Sequence, residues 1–321
     1  MTSNTPPKET RVTQKLFERF YASGVATFDK EASSHWRDFS KNFIAHSSGE
    51  NLELDGYGFG ESGRHNLQAK LISWCSIFLH LRNLSDYKLS KRIQGAKLVV
   101  KKMGLNFSLD AFRQVATLNL LSKYIESKNE PRRILIIGDG HGILSALIHA
   151  DYPKAQIILV DLGAVLLFQS HYLHKVFPEA SQVLVDTGQN EYRNANFVFC
   201  PAGDLEQLSL EIDLAINIAS MQEMNPLVIA RYFDFLRKSK TQLFYCCNRL
   251  EKFLVGGEVI RFMDYPWKPS DAHLVNELAP WHQWFFGIGG SSQNIKWMGM
   301  PIPFVHEYDG PHWHRLTQMK D

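Results

Sequence analysis

The chain has 321 residues, 45% of them hydrophobic and 12% aromatic, enough to bury a large core in one elaborated domain or two. Its 35 Lys and Arg against 33 Asp and Glu leave a formal charge of +2 with no dense basic run, which gives no reason to expect a nucleic-acid partner. The apolar stretches fall short of a membrane span, and Met1 to Thr10 lacks the apolar core of a signal peptide, so no membrane and a cytoplasmic location are expected.

In chain order, helix-like periodicity runs over Leu16 to Ala22, His35 to Ala45, Asn66 to Leu81, Ser85 to Ile93 and Phe107 to Ser127, with a glycine-rich polar stretch from Ser47 to Ser62. This makes 1–128 a helical N-terminal region, expected to act as a cap and substrate wall, with its first ten or so residues disordered. After the connector Lys128-Asn129-Glu130-Pro131, strands and helices alternate over 129–321. Strands are predicted at 132–137, 156–161, Asn196 to Cys200, Ile212 to Ile218 and Gln242 to Cys247, with helices from 142, at 163–176 and from Pro226 to Arg237. Alternation of this kind predicts an α/β fold with a mostly parallel, Rossmann-like sheet. Glu258 to Asp264 and Phe304 to Tyr308 are further strand-like segments, and no internal repeat is visible.

The most informative stretch is the first of these units. The apolar run Ile134-Leu135-Ile136-Ile137 enters the turn Gly138-Asp139-Gly140-His141-Gly142, and the next apolar run, Ile157-Ile158-Leu159-Val160, closes on Asp161. Glycines let main-chain N–H groups approach a ligand, and a carboxylate at the end of the second strand can accept hydrogen bonds from two ribose hydroxyls. An adenosine-like ligand is implied. A dinucleotide fingerprint would need a small residue where this chain has Ile143. The competing reading is a plain strand-to-helix turn.

The G-x-G-x-G pattern resembles the first motif of class I S-adenosylmethionine (SAM) methyltransferases. That resemblance implies SAM as cofactor, held by Gly138, Asp139, Gly140, His141, Gly142, Asp161 and Leu162, by Ala202, Gly203 and Asp204 after the third strand, and by Asn217 and Ser220 after the fourth. It also implies an antiparallel last strand, for which Phe304 to Tyr308 is the candidate. Asp204 would lie on the adenine edge, or equally cap the helix that follows it. One departure stands out: the commonly acidic residue two before the first glycine is Ile136 here, so the ammonium contact must come from elsewhere.

The segment Asp213-Leu214-Ala215-Ile216-Asn217-Ile218-Ala219-Ser220-Met221-Gln222-Glu223-Met224, with Tyr245, Asn248 and Arg249, resembles the sugar O-methyltransferases associated with bacterial glycans and glycosylated natural products. The resemblance covers about the C-terminal two thirds of the chain. It implies an acceptor held by Gln222, Glu223, Tyr245, Asn248 and Arg249. Glu223, Gln222 and His141 are the catalytic candidates, since a base must take the hydroxyl proton. The alternative for Glu223 is a first-turn acid favoured by the helix dipole.

Other features are less specific. Tyr57, within Asp55-Gly56-Tyr57-Gly58-Phe59-Gly60, suits a substrate loop or an ordinary connector, and Phe286 to Gln293 suits a lid. His306, His312 and His314 compete as bases. Tyr265, Trp267, Trp281, Trp284, Phe285, Phe286, Trp297 and Trp313 are expected mainly in the core, with sugar stacking as the alternative. The cysteines Cys75, Cys200, Cys246 and Cys247 lack C-x-x-C spacing and are expected to be reduced. His171 and His174 have metal-like spacing without further ligands nearby, so no structural zinc is expected, while a magnesium ion held by carboxylates and substrate hydroxyls stays an open alternative. Three other functions compete: methylation of a non-sugar small molecule or peptide on N or O, nicotinamide-dependent oxidoreduction, and a non-catalytic binding module of the same fold. A homo-oligomer is possible under any of them.

Overall fold

The computed structural model describes residues 11–320 apart from 23–24, 28–31, 40–42, 49–50, 56–66, 82–86, 126–129, 186–190, 288–293 and 308–309. The chain begins with α1 (Arg11–Phe20), β1 (Tyr21–Ala22), β2 (Val25–Ala26), α2 (Ser34–Phe39), β3 (Ile44–Ser48) and β4 (Asn51–Asp55), then α3 (Leu67–Leu81), α4 (Tyr87–Met103) and α5 (Leu109–Ile125). In α1, Val12, Leu16 and Phe20 recur every fourth residue and are buried. In α4 alternating steps of four and three bury Leu89, Ile93, Ala96, Val100 and Met103. The stretch expected as one helix from His35 to Ala45 is split: α2 stops at Phe39, and Ile44 starts a strand of a small antiparallel sheet in the order β1-β2-β3-β4.

The second part carries β5 (Arg133–Ile137), α6 (Ile143–Asp151), β6 (Gln156–Asp161), α7 (Gly163–Val176), β7 (Gln182–Leu184), β8 (Phe197–Pro201), β9 (Leu214–Ile218), α8 (Pro226–Lys238) and β10 (Leu243–Arg249). Then come the hairpin β11 (Glu251–Phe253) and β12 (Val259–Arg261), β13 (Ala272–Leu278), a three-stranded sheet of β14 (Trp284–Phe286), β15 (Asn294–Trp297) and β16 (Met300–Glu307), and finally β17 (His312–Gln318). Helix α8 starts where Pro226 occupies the first turn and the Asn225 side chain accepts from Leu227 N at 3.0 Å.

Eight strands form one central sheet in the order β13-β17-β10-β9-β5-β6-β8-β7. Neighbours from β10 through β7 are parallel, and β17 runs antiparallel between β10 and β13. The fold is therefore a Rossmann-like, mostly parallel sheet with its antiparallel strand inserted near one edge. From β5 the chain winds outward through β6 to β8, then returns to the other side of β5 with β9. That reversal leaves a crevice at the carboxyl ends of β5 and β9.

Alternate residues of each strand enter different cores. Ile134 and Ile136 of β5 pack with α4 to α7, whereas Leu135 and Ile137 pack with α8. The first of these cores runs without a break from Val12 and Phe112 to the sheet. The closing antiparallel strand is not at Phe304 to Tyr308, of which residues 304–307 belong to β16 and the separate small sheet and Tyr308 lies outside the described residues, but β17. Of the strand expected from Glu258 to Asp264, Val259–Arg261 is extended and Phe262–Asp264 is a single helical turn. Among the described residues, no helix is long and apolar enough to cross a membrane.

Candidate active site

The turn leaving β5 has all three glycines in the left-handed region, with φ of +75° at Gly138, +58° at Gly140 and +81° at Gly142. Gly138 is glycine for a second reason: a Cβ there would lie 2.2 Å from Ser220 Oγ. The Ser220 hydroxyl sits on this position, donates to Ile137 O at 3.0 Å and accepts from Asn217 Nδ2. Asn217 Nδ2 also reaches Ile137 O at 2.9 Å. The ends of β5 and β9 are thus tied by polar side chains.

Asp139 turns inward and caps α6. One oxygen accepts from Leu144 N at 3.0 Å and the other from Ser145 N at 2.8 Å and from the Ser145 hydroxyl. Burial pushes its carboxyl up to about 6 against those bonds. His141 faces α7, edge-on to Phe168 and Tyr172 at 6.3 and 5.6 Å, and burial lowers it to about 4, which keeps the imidazole neutral.

Asp161 closes β6. Its carboxylate accepts from Leu162 N at 2.8 Å and from Gln169 Nε2 at 2.7 Å. Burial raises it to about 7, with the neighbouring Asp139 adding to the rise and a main-chain bond from Gly140 opposing it. Asp204, offered above for the adenine edge or a helix cap, pairs with Arg19 of α1 at 2.9 Å and accepts from Gln207 Nε2.

Beyond β9 the backbone bends sharply through Ala219, a non-glycine residue at φ +56°, of the kind that persists where the surroundings enforce it. Asn217, fully buried, accepts from Asn248 Nδ2 at 2.7 Å, and Asn248 Oδ1 accepts from Gln222 N at 3.0 Å. Gln222 Oε1 in turn accepts from Arg249 N at 2.8 Å. Glu223 is gripped by Lys252 Nζ at 2.5 Å and lies 3.5 Å from His35 Nε2 of α2. Tyr245 is buried within the sheet, its hydroxyl 3.0 Å from His314 Nδ1.

One cavity of about 290 Å³ gathers much of this set. Gly138, Asp139, Gly140, Asp161, Leu162, Ala202 and Ser220 line it, and so do Gln222, Glu223 and Arg249. His141, Gly142, Gly203, Asp204, Asn217, Tyr245 and Asn248 are not among its lining residues; the first and the last three serve the packing and bonding that shape its walls. Tyr57 and residues 288–293 of the expected lid lie outside the described residues.

The structure adds lining residues that the sequence reading did not single out. Ser33 and Trp36 come from the α2 segment, Asp110, Arg113 and Gln114 from α5, and His282 from the turn before β14. The i, i+3 and i+4 spacing on α5 was a usable signal of a shared face. Nothing in the local pattern marked His282, which stacks on His312 at 4.4 Å. Burial first, then the Arg113 charge, holds His282 well below its ordinary value and His312 at about 3, so both stay neutral. Among the described residues, no group of three or more His, Cys, Asp or Glu is placed to hold a metal ion.

The cavity has two unlike ends. The glycine turn, Asp161, Leu162 and Ala202 offer main chain, a carboxylate and apolar contacts at one. At the other, across β5, Glu223 and Arg249 follow β9 and β10 and offer hydrogen bonding; Trp36 and His282 also line the cavity.

No protein-family model and no curated protein sequence matches this chain. Solved structures of similar fold include an rRNA methylase from Escherichia coli (14% identity, 79% of this chain and 80% of that one, TM-score 0.34). The methyltransferase domain of bacterial CtHen1-CN is similar at 15% identity over 63% of this chain and 97% of that one, TM-score 0.34. The PH0226 protein from Pyrococcus horikoshii OT3 is similar at 15% identity over 63% and 87%, TM-score 0.36. Likenesses this remote carry no argument for a reaction or an acceptor, and the fold assignment rests on the strand order given above.

Proposed function

We propose that this chain is a SAM-dependent methyltransferase acting on a hydroxyl group of a sugar. The observation that carries the reading is the convergence, at the point where the strand order reverses, of a left-handed glycine turn and a carboxylate one strand over onto a single cavity. The residues fit the cofactor: Gly138 and Gly140 bring main chain to the cavity, and Asp161, which also lines it, would accept from ribose hydroxyls. Ile143 keeps its bulky side chain directly after the turn, which disfavours a pyrophosphate-bearing dinucleotide.

When bound, SAM supplies an electrophilic methyl on a sulfonium. Methyl transfer to an acceptor hydroxyl would leave S-adenosylhomocysteine (SAH), a methyl ether and a proton to be taken up. The chain's part is binding, alignment and the proton. Glu223 receives the hydroxyl proton, while Lys252 and His35 fix its orientation. Gln222 holds the main chain of Arg249 in place, so that Arg249 can position a hydroxyl-rich acceptor. Trp36 and Ser33 line the cavity beside them. The sugar assignment is supported by the Ser220 to Met224 segment and by the mixed aromatic and hydrogen-bonding character of the cavity lining.

Calorimetry with SAH and NAD, followed by transfer of a labelled methyl from SAM to glycosides and to non-sugar phenols, amines and RNA, tests both levels. SAH binding with label on a glycoside hydroxyl is expected. NAD binding without SAH binding overturns the reaction class, and label on another acceptor overturns the sugar.

A further inference from the structure

The cofactor's amino-acid end is a zwitterion, and its ammonium cannot be buried against Ile136, which is apolar and 2% exposed. The cavity's other carboxylates have work already. Asp139 is committed to the start of α6, Asp161 to the ribose end with Leu162 N and Gln169, and Glu223 to Lys252. On α5, one helical turn brings three polar side chains to the same cavity. Asp110 Oδ1 accepts from Arg113 at 3.0 Å, and Arg113 Nε donates to Trp281 O at 3.0 Å, which fixes the guanidinium plane. Beside them Gln114 Oε1 is buried with no hydrogen-bond partner. A buried acceptor in that condition costs free energy unless a ligand donates to it.

Resting on the reading above, we infer that Asp110, Arg113 and Gln114 grip the amino-acid end of the cofactor. The ammonium donates to the Asp110 carboxylate and to Gln114 Oε1, and the Arg113 guanidinium donates to the cofactor's carboxylate. A carboxylate has about four acceptor sites, so Asp110 serves Arg113 and the ammonium together. The side-chain pair mirrors the charges of the ligand, and the task an acid would perform at position 136 is moved to a helix of the N-terminal region.

The test compares SAH with 5′-methylthioadenosine, which keeps the adenosine and the sulfur and lacks the amino acid. Calorimetry on the full chain is expected to show SAH bound tighter by on the order of a hundredfold, as two charge-assisted contacts at a buried site would give. Asp110→Asn and Gln114→Leu should weaken SAH by about tenfold while leaving methylthioadenosine affinity unchanged. Gln114→Leu should also raise the melting temperature of the ligand-free protein, because it removes an unsatisfied acceptor. Arg113 is left intact because its bond to Trp281 O serves the fold. Equal affinity for the two ligands, or variants that weaken both alike, overturns the inference while the proposed reaction stands. Binding of neither ligand overturns both.

Discussion

Gly138→Ala tests how the cavity floor is built. An alanine at φ +75° costs about 1 kcal/mol in backbone conformation alone. Its Cβ would also lie 2.2 Å from Ser220 Oγ and 2.4 Å from Ser220 Cβ, so Ser220 has to leave, giving up its bond to Ile137 O and its contact with Asn217. Losing those bonds at a partly buried site adds about 2 kcal/mol, for a total near 3 kcal/mol. Urea titration would read this as a lower midpoint with an unchanged slope. Ser220→Gly removes both clashing atoms, so in that background Gly138→Ala should cost only the conformational part. The double-mutant cycle should show a coupling of about 2 kcal/mol. Additive effects would refute the account, because they would mean that Gly138 is glycine for its dihedral angle alone.

Further expectations concern the site and its supports. Asp161→Asn should weaken SAH by at least tenfold without unfolding the protein, since hydrogen bonds to a charged acceptor are worth about 1.5 to 3 kcal/mol. Burial raises Asp161 towards about 7 and Asp139 towards about 6, so the folded state keeps protons that the unfolded chain has released. Stability of the ligand-free protein should therefore fall as pH rises from the ordinary carboxylate value of 3.8 towards 7, and thermal melts across that range should show a shallower fall in Asp161→Asn. Glu223→Gln should reduce turnover while SAH affinity by calorimetry is kept; unchanged turnover would remove Glu223 from the mechanism. Asp271, whose side chain is fully buried against Arg237 at 2.9 Å, should cost about 3 kcal/mol or more as Asp271→Ala in urea titration, because Arg237 would be left without its carboxylate.

The strands that carry the site were legible because each is buried on both faces. Residues 134–137, 157–160 and 197–200 are continuous apolar runs, and such runs need no alternation to be recognised. The closing strand was missed for the opposite reason. In β17, His312, His314 and Thr317 are buried although polar, so its hydrophobic signal is faint, whereas Phe304 in the more apolar β16 is half exposed. Asp161 and the glycine turn could be placed because local spacing fixes them. The spacing of Asp110 and Arg113 marks a shared face of α5, but tertiary packing alone decides that this face meets the cavity, and His282, in the turn before β14, has no local period at all. Asp204 shows the limit of position-based reasoning: it sits at the expected strand end, yet Arg19, 185 residues earlier, takes its carboxylate.

The stitching of α1 and the start of β1 to α7 and to the turn after β8 bears on how the polypeptide acquires its shape during synthesis. Thr13 meets Ser170, Tyr21 donates to Ala164 O and Arg19 meets Asp204, partners separated by 157, 143 and 185 residues. This segment therefore leaves the ribosome well before the elements that seat it. Until α7 and β8 have emerged, the stripe of Val12, Leu16 and Phe20 has no surface to bury against and is a natural client for chaperones.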